Sequence, residues 1–303
     1  MIRNCSSRVE FSFEGRINRN VLICGSSGVG KTVFLEAARE YYPSSAISFL
    51  AAKDRSVGVL VSEYRPFARF GVRAWVDAFL AVLPDPNGWF SSQVPAVLWD
   101  VFGACKYKEE SDKLTVQYFL GVLDARRQLA SKAIQPVYYF VESQVKMLYP
   151  DRFTARDSEQ FYEGSGGRFF FDGLSDWEKR FFHEFILRLY WNRNHSLFLR
   201  IDEFHHLSDL QHSIIGVILR EVRSRGGVVA ATQNLSDVYP SYVNQFGSLF
   251  LGSTISPDDL GFWRYSSPLV SQRLASMPPY RFFDARAFLR NPGLSVEWEA
   301  VIQ

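Results

Sequence analysis

Apolar residues are grouped in two ways along this chain, and the alternation between the two predicts its architecture. Short apolar runs at 21–24 (VLIC), 46–51 (AISFLA), 197–201 (LFLRI) and 228–231 (VVAA) are bounded by polar or glycine residues, the pattern of strands buried in a parallel sheet. Between them apolar residues recur at spacings of three and four, which predicts helices after the first run (TVFLEAAREYY), at 176–193 and at about 208–224. The helix at 176–193 has an apolar stripe through Phe181, Phe182, Phe185, Ile186 and Leu189, with Ser175 or Asp176 as its cap. Residues 168–176 read as a strand entering a loop. Strands that alternate with helices require a parallel sheet with crossover connections, so the fold class is α/β. The tail adds a strand at 246–254, a helix near 268–276 and the stretch YRFFDARAFL.

From residue 55 to about 165 the strand signal lapses. Segments at 75–83, 95–104 and 112–134 are helical in period, and the glycine-rich residues 164–167 close the stretch. With no linker and no repeat, the expectation is a single domain over residues 1–303 carrying a helical insertion at about 55–165. Hydrophobic residues at 47% and charged residues at 22% suit a folded globular protein. The 34 basic and 32 acidic side chains nearly cancel, so any nucleic-acid surface must be local, and the basic residues of the helical stretch (Lys106, Lys108, Lys113, Arg126, Arg127, Lys132) read first as a solvated face. Cys5, Cys24 and Cys105 have no ligand-like spacing and suit a reducing cytosol. No window approaches a membrane span and the start lacks a signal-peptide core, so a cytoplasmic protein with no stable membrane insertion is expected. The 27 phenylalanines are expected to pack cores rather than to stack bases.

Chemistry enters at NVLICGSSGVGKT, which places GxxxxGK[ST] between the first strand and a helix. Gly25, Ser26, Ser27, Gly28, Val29, Gly30, Lys31, Thr32 and Val33 then form a phosphate-binding loop whose N–H groups turn inward at a helix N-terminus. Lys31 reaches the β and γ phosphates, and the Thr32 hydroxyl is a ligand for Mg²⁺. The strand at 197–201 ends in two carboxylates, Asp202 and Glu203, which fit the second half of a nucleoside triphosphatase site. Asp202 would hold Mg²⁺ and Glu203 would deprotonate the attacking water. Arg200 breaks that apolar run and needs a partner if buried. The last apolar run ends in Thr232-Gln233, beside the Asp-Glu strand if both are parallel, so Gln233 and Glu203 meet at one sheet edge.

Together these motifs, with a helix ending in Arg-Ser-Arg-Gly before the glutamine strand, resemble the HerA/FtsK superfamily of P-loop ATPases. The resemblance covers about residues 18–54 and 168–252. It lacks the N-terminal β-barrel of HerA proper and shows no DNA-reading winged helix. It implies a RecA-like (ASCE) P-loop NTPase core with a central, mostly parallel sheet flanked by helices, using ATP and Mg²⁺. Gln233 would sense the γ-phosphate beside the catalytic Lys31 and Glu203. It also implies a ring, usually a hexamer, whose sites are completed by arginine; Arg223 and Arg225 match that position, with Arg220 a weaker match.

The function so implied is an Mg²⁺-dependent motor that translocates or packages double-stranded DNA, with viral or plasmid genome packaging among its forms and the host cytoplasm as its place if viral. Two other readings stay open: an AAA-type or signalling ATPase acting on a protein partner, and a secretion or conjugation ATPase. A capsid or membrane channel would be the further partner of such a motor. His205 and His206 read as structural, because adjacent helical residues point apart and no carboxylate cluster accompanies them.

Overall fold

The structure is a computed structural model that describes residues 2–4, 18–37, 47–50, 58–68, 71–83, 89–105, 114–150, 167–193, 197–208, 213–222, 226–253, 255–292 and 297–300. In chain order the elements are β1 (Ile2–Asn4), β2 (Val21–Cys24), α1 (Lys31–Ala37), β3 (Ile47–Leu50), β4 (Val59–Leu60), α2 (Val61–Tyr64), α3 (Val72–Val82), α4 (Trp89–Cys105), α5 (Val116–Leu129), α6 (Gln135–Leu148), β5 (Arg168–Phe170) and α7 (Asp176–Arg193). They continue with β6 (Phe198–Ile201), α8 (His205–Ser208), α9 (Ile214–Glu221), β7 (Gly227–Thr232), α10 (Pro240–Val243), β8 (Ser248–Gly252), α11 (Pro257–Ser266), α12 (Pro268–Ser276), β9 (Arg281–Asp284), α13 (Ala285–Arg290) and β10 (Glu297–Ala300). Two compact units result, one formed by residues 1–53 with 193–303 and the other by residues 54–192. No helix among the described residues is long and apolar enough to cross a membrane.

The first unit is built on eight strands in the order β1-β10-β9-β8-β2-β7-β6-β3. The five from β3 to β8 are parallel, and β9, β10 and β1 add antiparallel at the other end. All four runs read from sequence as buried strands lie in the parallel part. The β7 strand lies with β2 on one side and β6 on the other, and all six of its residues are buried. Small residues make this possible: a Cβ on Gly226, just before the strand, would stand 2.0 Å from the Leu197 carbonyl oxygen. On one face Phe34 and Leu35 of α1 pack against Val21, Ile23, Val229, Ala231, Phe250 and Phe282, and this contact ties the helix after the glycine loop to the sheet.

Arg200 is indeed buried, and its partner lies across the sheet. Its Nη2 donates to Ser48 Oγ at 2.6 Å, the register neighbour on β3, and Nη1 stands 3.7 Å from Glu36 Oε2. Asn20 performs a second polar task at the opposite, amino-terminal edge. Its Nδ2 donates to the carbonyls of Leu219 (2.8 Å) and Gln245 (3.2 Å), its Oδ1 accepts from Val228 N (3.1 Å), and its own carbonyl accepts from Gly247 N and Ser248 N. One fully buried residue thus joins the starts of β2, β7 and β8, through its side chain at β7 and its own carbonyl at β8.

The second unit pairs β4 with β5 in parallel and carries helices α2 to α7. Its core is aromatic: Phe67, Trp75, Phe79, Phe102, Phe119, Tyr149 and Phe181 stack or meet edge to face, and Trp75 Nε1 donates to the Tyr149 hydroxyl, which donates on to Pro66 O. The helix expected over 112–134 runs from Val116 to Leu129, with Thr115 as N-cap, and the following helix α6 has no counterpart in the sequence reading. The long helix 176–193 is found with the bounds its pattern predicts. In the tail, YRFFDARAFL divides into β9 and α13 at Asp284, whose carboxylate caps the helix by accepting from Arg286 N and Ala287 N.

Replacing Asn20 by alanine leaves Val228 N–H without its acceptor and Leu219 O without its donor in a dry site. The expected cost is about 2 to 4 kcal/mol of unfolding free energy, measured by urea denaturation. A cost below about 1 kcal/mol would show that water takes over those bonds.

Candidate functional site

Parallel strands end together, and here β2, β6 and β7 bring their carboxyl ends to one cavity of about 270 Å³, lined by Ser27, Gly28, Gly30, Lys31, Thr32, Val33, Asp202, Glu203, Ala231, Thr232 and Gln233. Every residue is supplied by the first unit. The glycine loop leaves β2 through Gly25, whose N–H donates to Thr232 O of β7 at 3.3 Å. Gly28 and Gly30 adopt φ of +82° and +99°, which other residue types rarely accept, so two of the glycines in the motif are there for backbone shape. A Cβ at Gly28 would meet nothing within 4 Å, so the loop opens to the cavity there.

Lys31, the first residue of α1, turns back over this loop and donates from Nζ to the carbonyls of Gly25 (2.7 Å) and Ser26 (2.9 Å). Burial pulls its ammonium below the ordinary lysine range, while the negative charges of Asp202 and Glu203 act the other way. Thr32 Oγ1 donates to Asp202 Oδ2 at 3.3 Å, joining the helix to the acidic strand end.

The two carboxylates differ in setting. Asp202 is buried, with its N–H donated to Phe49 O of β3 at 2.8 Å. Burial pushes its carboxyl above the usual range; the Glu203 charge adds to this, and the Glu203 N–H, the Thr32 hydroxyl and Lys31 offset part of it. Phe204 N donates to Ala231 O of β7 at 2.8 Å. Glu203 is therefore confined between two residues pinned to different strands, and it takes φ of +53°, a left-handed conformation that costs a non-glycine residue energy. Its N–H donates to Asp202 Oδ1 at 3.0 Å, and its half-exposed carboxylate stands 3.3 Å from His206 Nε2. His206 is buried, a neighbour of Glu203 one turn on, which the sequence reading treated only as structural.

Gln233 follows the last residue of β7 and is exposed at the cavity. Its carbonyl accepts from the Cys24 thiol at 3.5 Å, and the turn after it is held by Asp259, whose carboxylate accepts from Leu235 N (2.8 Å) and Ser236 N (3.2 Å). Neither Cys24 nor Asp259 was singled out as a site neighbour from sequence, and no spacing connects them to the glutamine. Arg223 and Arg225 lie outside the described residues. Arg220, on the last turn of α9, is exposed. The remaining expected residues, Gly25, Ser26 and Val29, form the body of the loop, with Val29 N donating to Ser26 O at 3.5 Å.

A loop with two left-handed glycines at a helix start, a lysine, and a hydroxyl beside a carboxylate are groups suited to a nucleotide with Mg²⁺, which takes hard oxygen ligands and few of them from protein. A mostly parallel sheet flanked by helices with this loop after its central strand is the fold of a P-loop NTPase. No protein-family model matches the chain, and no curated protein sequence matches it. Solved structures do. The bacterial conjugative coupling protein TrwB, in a crystal form with sulphate, superposes with a TM-score of 0.60 at 16% identity, covering 88% of this chain and 82% of that one. Its complex with the non-hydrolysable ATP analogue ADPNP gives 0.58 at 15%, over 89% and 83%. VirB4 of Thermoanaerobacter pseudethanolicus gives 0.57 at 12% identity, over 87% and 85%. The genome packaging NTPase B204 of Sulfolobus turreted icosahedral virus 2 aligns more loosely, with a TM-score of 0.47 at 10% over 95% of this chain. The chain shares the fold of TrwB and VirB4.

Because the carboxyl pKa of Asp202 is raised in the folded state, folding takes up a proton there. The penalty is full at pH above the folded pKa and disappears as pH falls toward the unfolded value. Asp202→Asn, which keeps the shape, is expected to raise the melting temperature of the nucleotide-free chain at pH 8 by about 2 °C, with a smaller difference at pH 5. A lower melting temperature than wild type at pH 8 would contradict this balance.

Proposed function

We propose that the chain is an Mg²⁺-dependent ATPase motor of the HerA/FtsK type that moves double-stranded DNA, acting as one P-loop domain with a helical insertion at about 55–165, a stretch that lies within the compact unit 54–192. The observation that carries this reading is the convergence of the glycine loop, Lys31, Thr32, Asp202, Glu203 and Gln233 on one cavity at the carboxyl edge of β2, β6 and β7. Lys31 exchanges the carbonyls of Gly25 and Ser26 for phosphate oxygens. Thr32 and Asp202 hold Mg²⁺, which when bound neutralises charge on the phosphate oxygens. Glu203 orients the attacking water and takes its proton, and the Gln233 amide holds that water or the γ-phosphate in line. Arg223 and Arg225 are the candidates for completing the site of a neighbouring copy in a ring.

Coupling to DNA is the second half of the proposal. It draws on the fold shared with TrwB and on basic residues in the second unit. Arg126 and Arg127 are engaged with Asp100, Asp124 and Glu142, so the weight falls on Lys132, which is exposed, and on Lys106, Lys108 and Lys113, which lie outside the described residues. A conjugation or secretion ATPase is the second reading, supported equally by the likeness to TrwB, named as a conjugative coupling protein.

ATP turnover with and without duplex DNA tests the motor reading. DNA is expected to stimulate hydrolysis, and the stimulation is expected to fall steeply between low and physiological salt as phosphate contacts release counterions. Glu203→Gln should lower kcat by about 10² to 10⁴ while nucleotide still binds, and Lys31→Ala should weaken nucleotide binding itself. Normal hydrolysis by Lys31→Ala would remove the site assignment. Turnover indifferent to DNA but raised by membrane-channel components would select the second reading.

A further inference from the structure

Asp259 is the third residue of α11, a helix capped by Ser256, whose Oγ accepts from Asp259 N at 3.1 Å. An acidic residue at this position commonly reaches back to the N–H of its own cap. This one points away from its helix. Its Oδ2 accepts from Leu235 N at 2.8 Å and its Oδ1 from Ser236 N at 3.2 Å, both in the turn after β7, and it is only 3% exposed. A buried carboxylate needs donors, and charge-assisted bonds to amides are stronger and shorter than neutral ones. A third donor is the Cys24 thiol, 3.7 Å from Oδ2, at the last residue of the strand that leads into the glycine loop. Burial and the Asp259 charge both push that thiol up, so it stays protonated and able to donate.

The same thiol, with one proton shared between the two acceptors, also lies 3.5 Å from the Gln233 carbonyl, and Thr232 O accepts from Gly25 N. The backbone is thereby held immediately before Gln233, at Gln233 itself and again two and three residues later. Thr232 Oγ1 to Asn234 O and Asn234 Nδ2 to Asp237 Oδ2 close the turn internally; its far end is tied to α8 by Ser208 Oγ donating to Asp237 O at 3.1 Å, and the part next to Gln233 is held by Cys24 and Asp259.

We infer that Asp259 is a positioning residue for Gln233: its carboxylate clamps the turn after β7 and so sets where the glutamine amide sits over the phosphate site. This rests on the role given above to Gln233. Without the clamp, Leu235 and Ser236 lose their acceptor, the turn relaxes, and a side chain that must meet the reacting water in one geometry spends less time there.

The test is a double-mutant cycle of Asp259→Asn with Gln233→Ala, read by steady-state ATP turnover, by affinity for a fluorescent non-hydrolysable ATP analogue, and by hydrogen exchange of the peptide spanning residues 233–238. Asp259→Asn is expected to lower kcat about tenfold, leave analogue affinity unchanged, and speed exchange in that peptide. In the Gln233→Ala background it is expected to have no further effect on kcat. An equal fall in both backgrounds, or no fall in either, overturns the positioning role while leaving the Gln233 reading in place. If Gln233→Ala alone leaves kcat unchanged, the Gln233 reading fails first and takes this inference with it. Should the asparagine variant not fold, Asp259→Glu keeps the charge but moves the carboxylate by one methylene, and the same cycle applies with the same outcomes.

Discussion

Two successive carbonyls of one strand hold the site together. Ala231 O accepts from Phe204 N on one side, and Thr232 O accepts from Gly25 N on the other. The ladder hydrogen bonds of the sheet thus run one step past the ends of β6 and β2, into the acidic turn and the glycine loop. Neither loop is free to choose its distance from the other, because β7 lies between them and measures it. That constraint explains why β7 is made of small residues, why its entry needs Gly226, and why Asn20 secures its amino end.

Charge at the site is arranged under tension. Burial works against both the Lys31 ammonium and the Asp202 carboxylate, and each partly relieves the other. Lys31 meanwhile spends its donors on the carbonyls of its own loop. The triphosphate and metal of the proposed function would offer both groups better partners than they have alone, and on that reading stability is given up for a ligand-shaped arrangement of charge.

Much of this was legible in the sequence where local signals are strong. The four buried strands have short apolar runs bounded by turn residues, and the glycine loop has a spacing that few other structures require. Parallel pairing then follows from strand and helix alternation, and it correctly placed Gln233 and Glu203 at one edge. What was not legible depends on partners distant in sequence. Arg200 interrupts a strand until Ser48 is seen across the sheet, and Asp259 looks like an ordinary cap residue until the turn at 235–236 is brought against it. His206 reads as structural from its sequence neighbours, and its 3.3 Å contact with Glu203 one turn before it depends on how the turn folds. The strands β1 and β10, three and four residues long, are too short for a periodic signal, and their pairing is supplied by the sheet edge they cover.

The left-handed backbone at Glu203 has a further consequence. The residue proposed to activate water occupies a left-handed conformation, and it is pinned there by neighbours on either side rather than by its own side chain. Fold and turnover are therefore separable at this position. A descendant of the chain that lost the carboxylate to glycine or asparagine would relax its backbone while keeping every ladder bond, so under the proposed function the loss of turnover with the cavity retained lies downhill in stability.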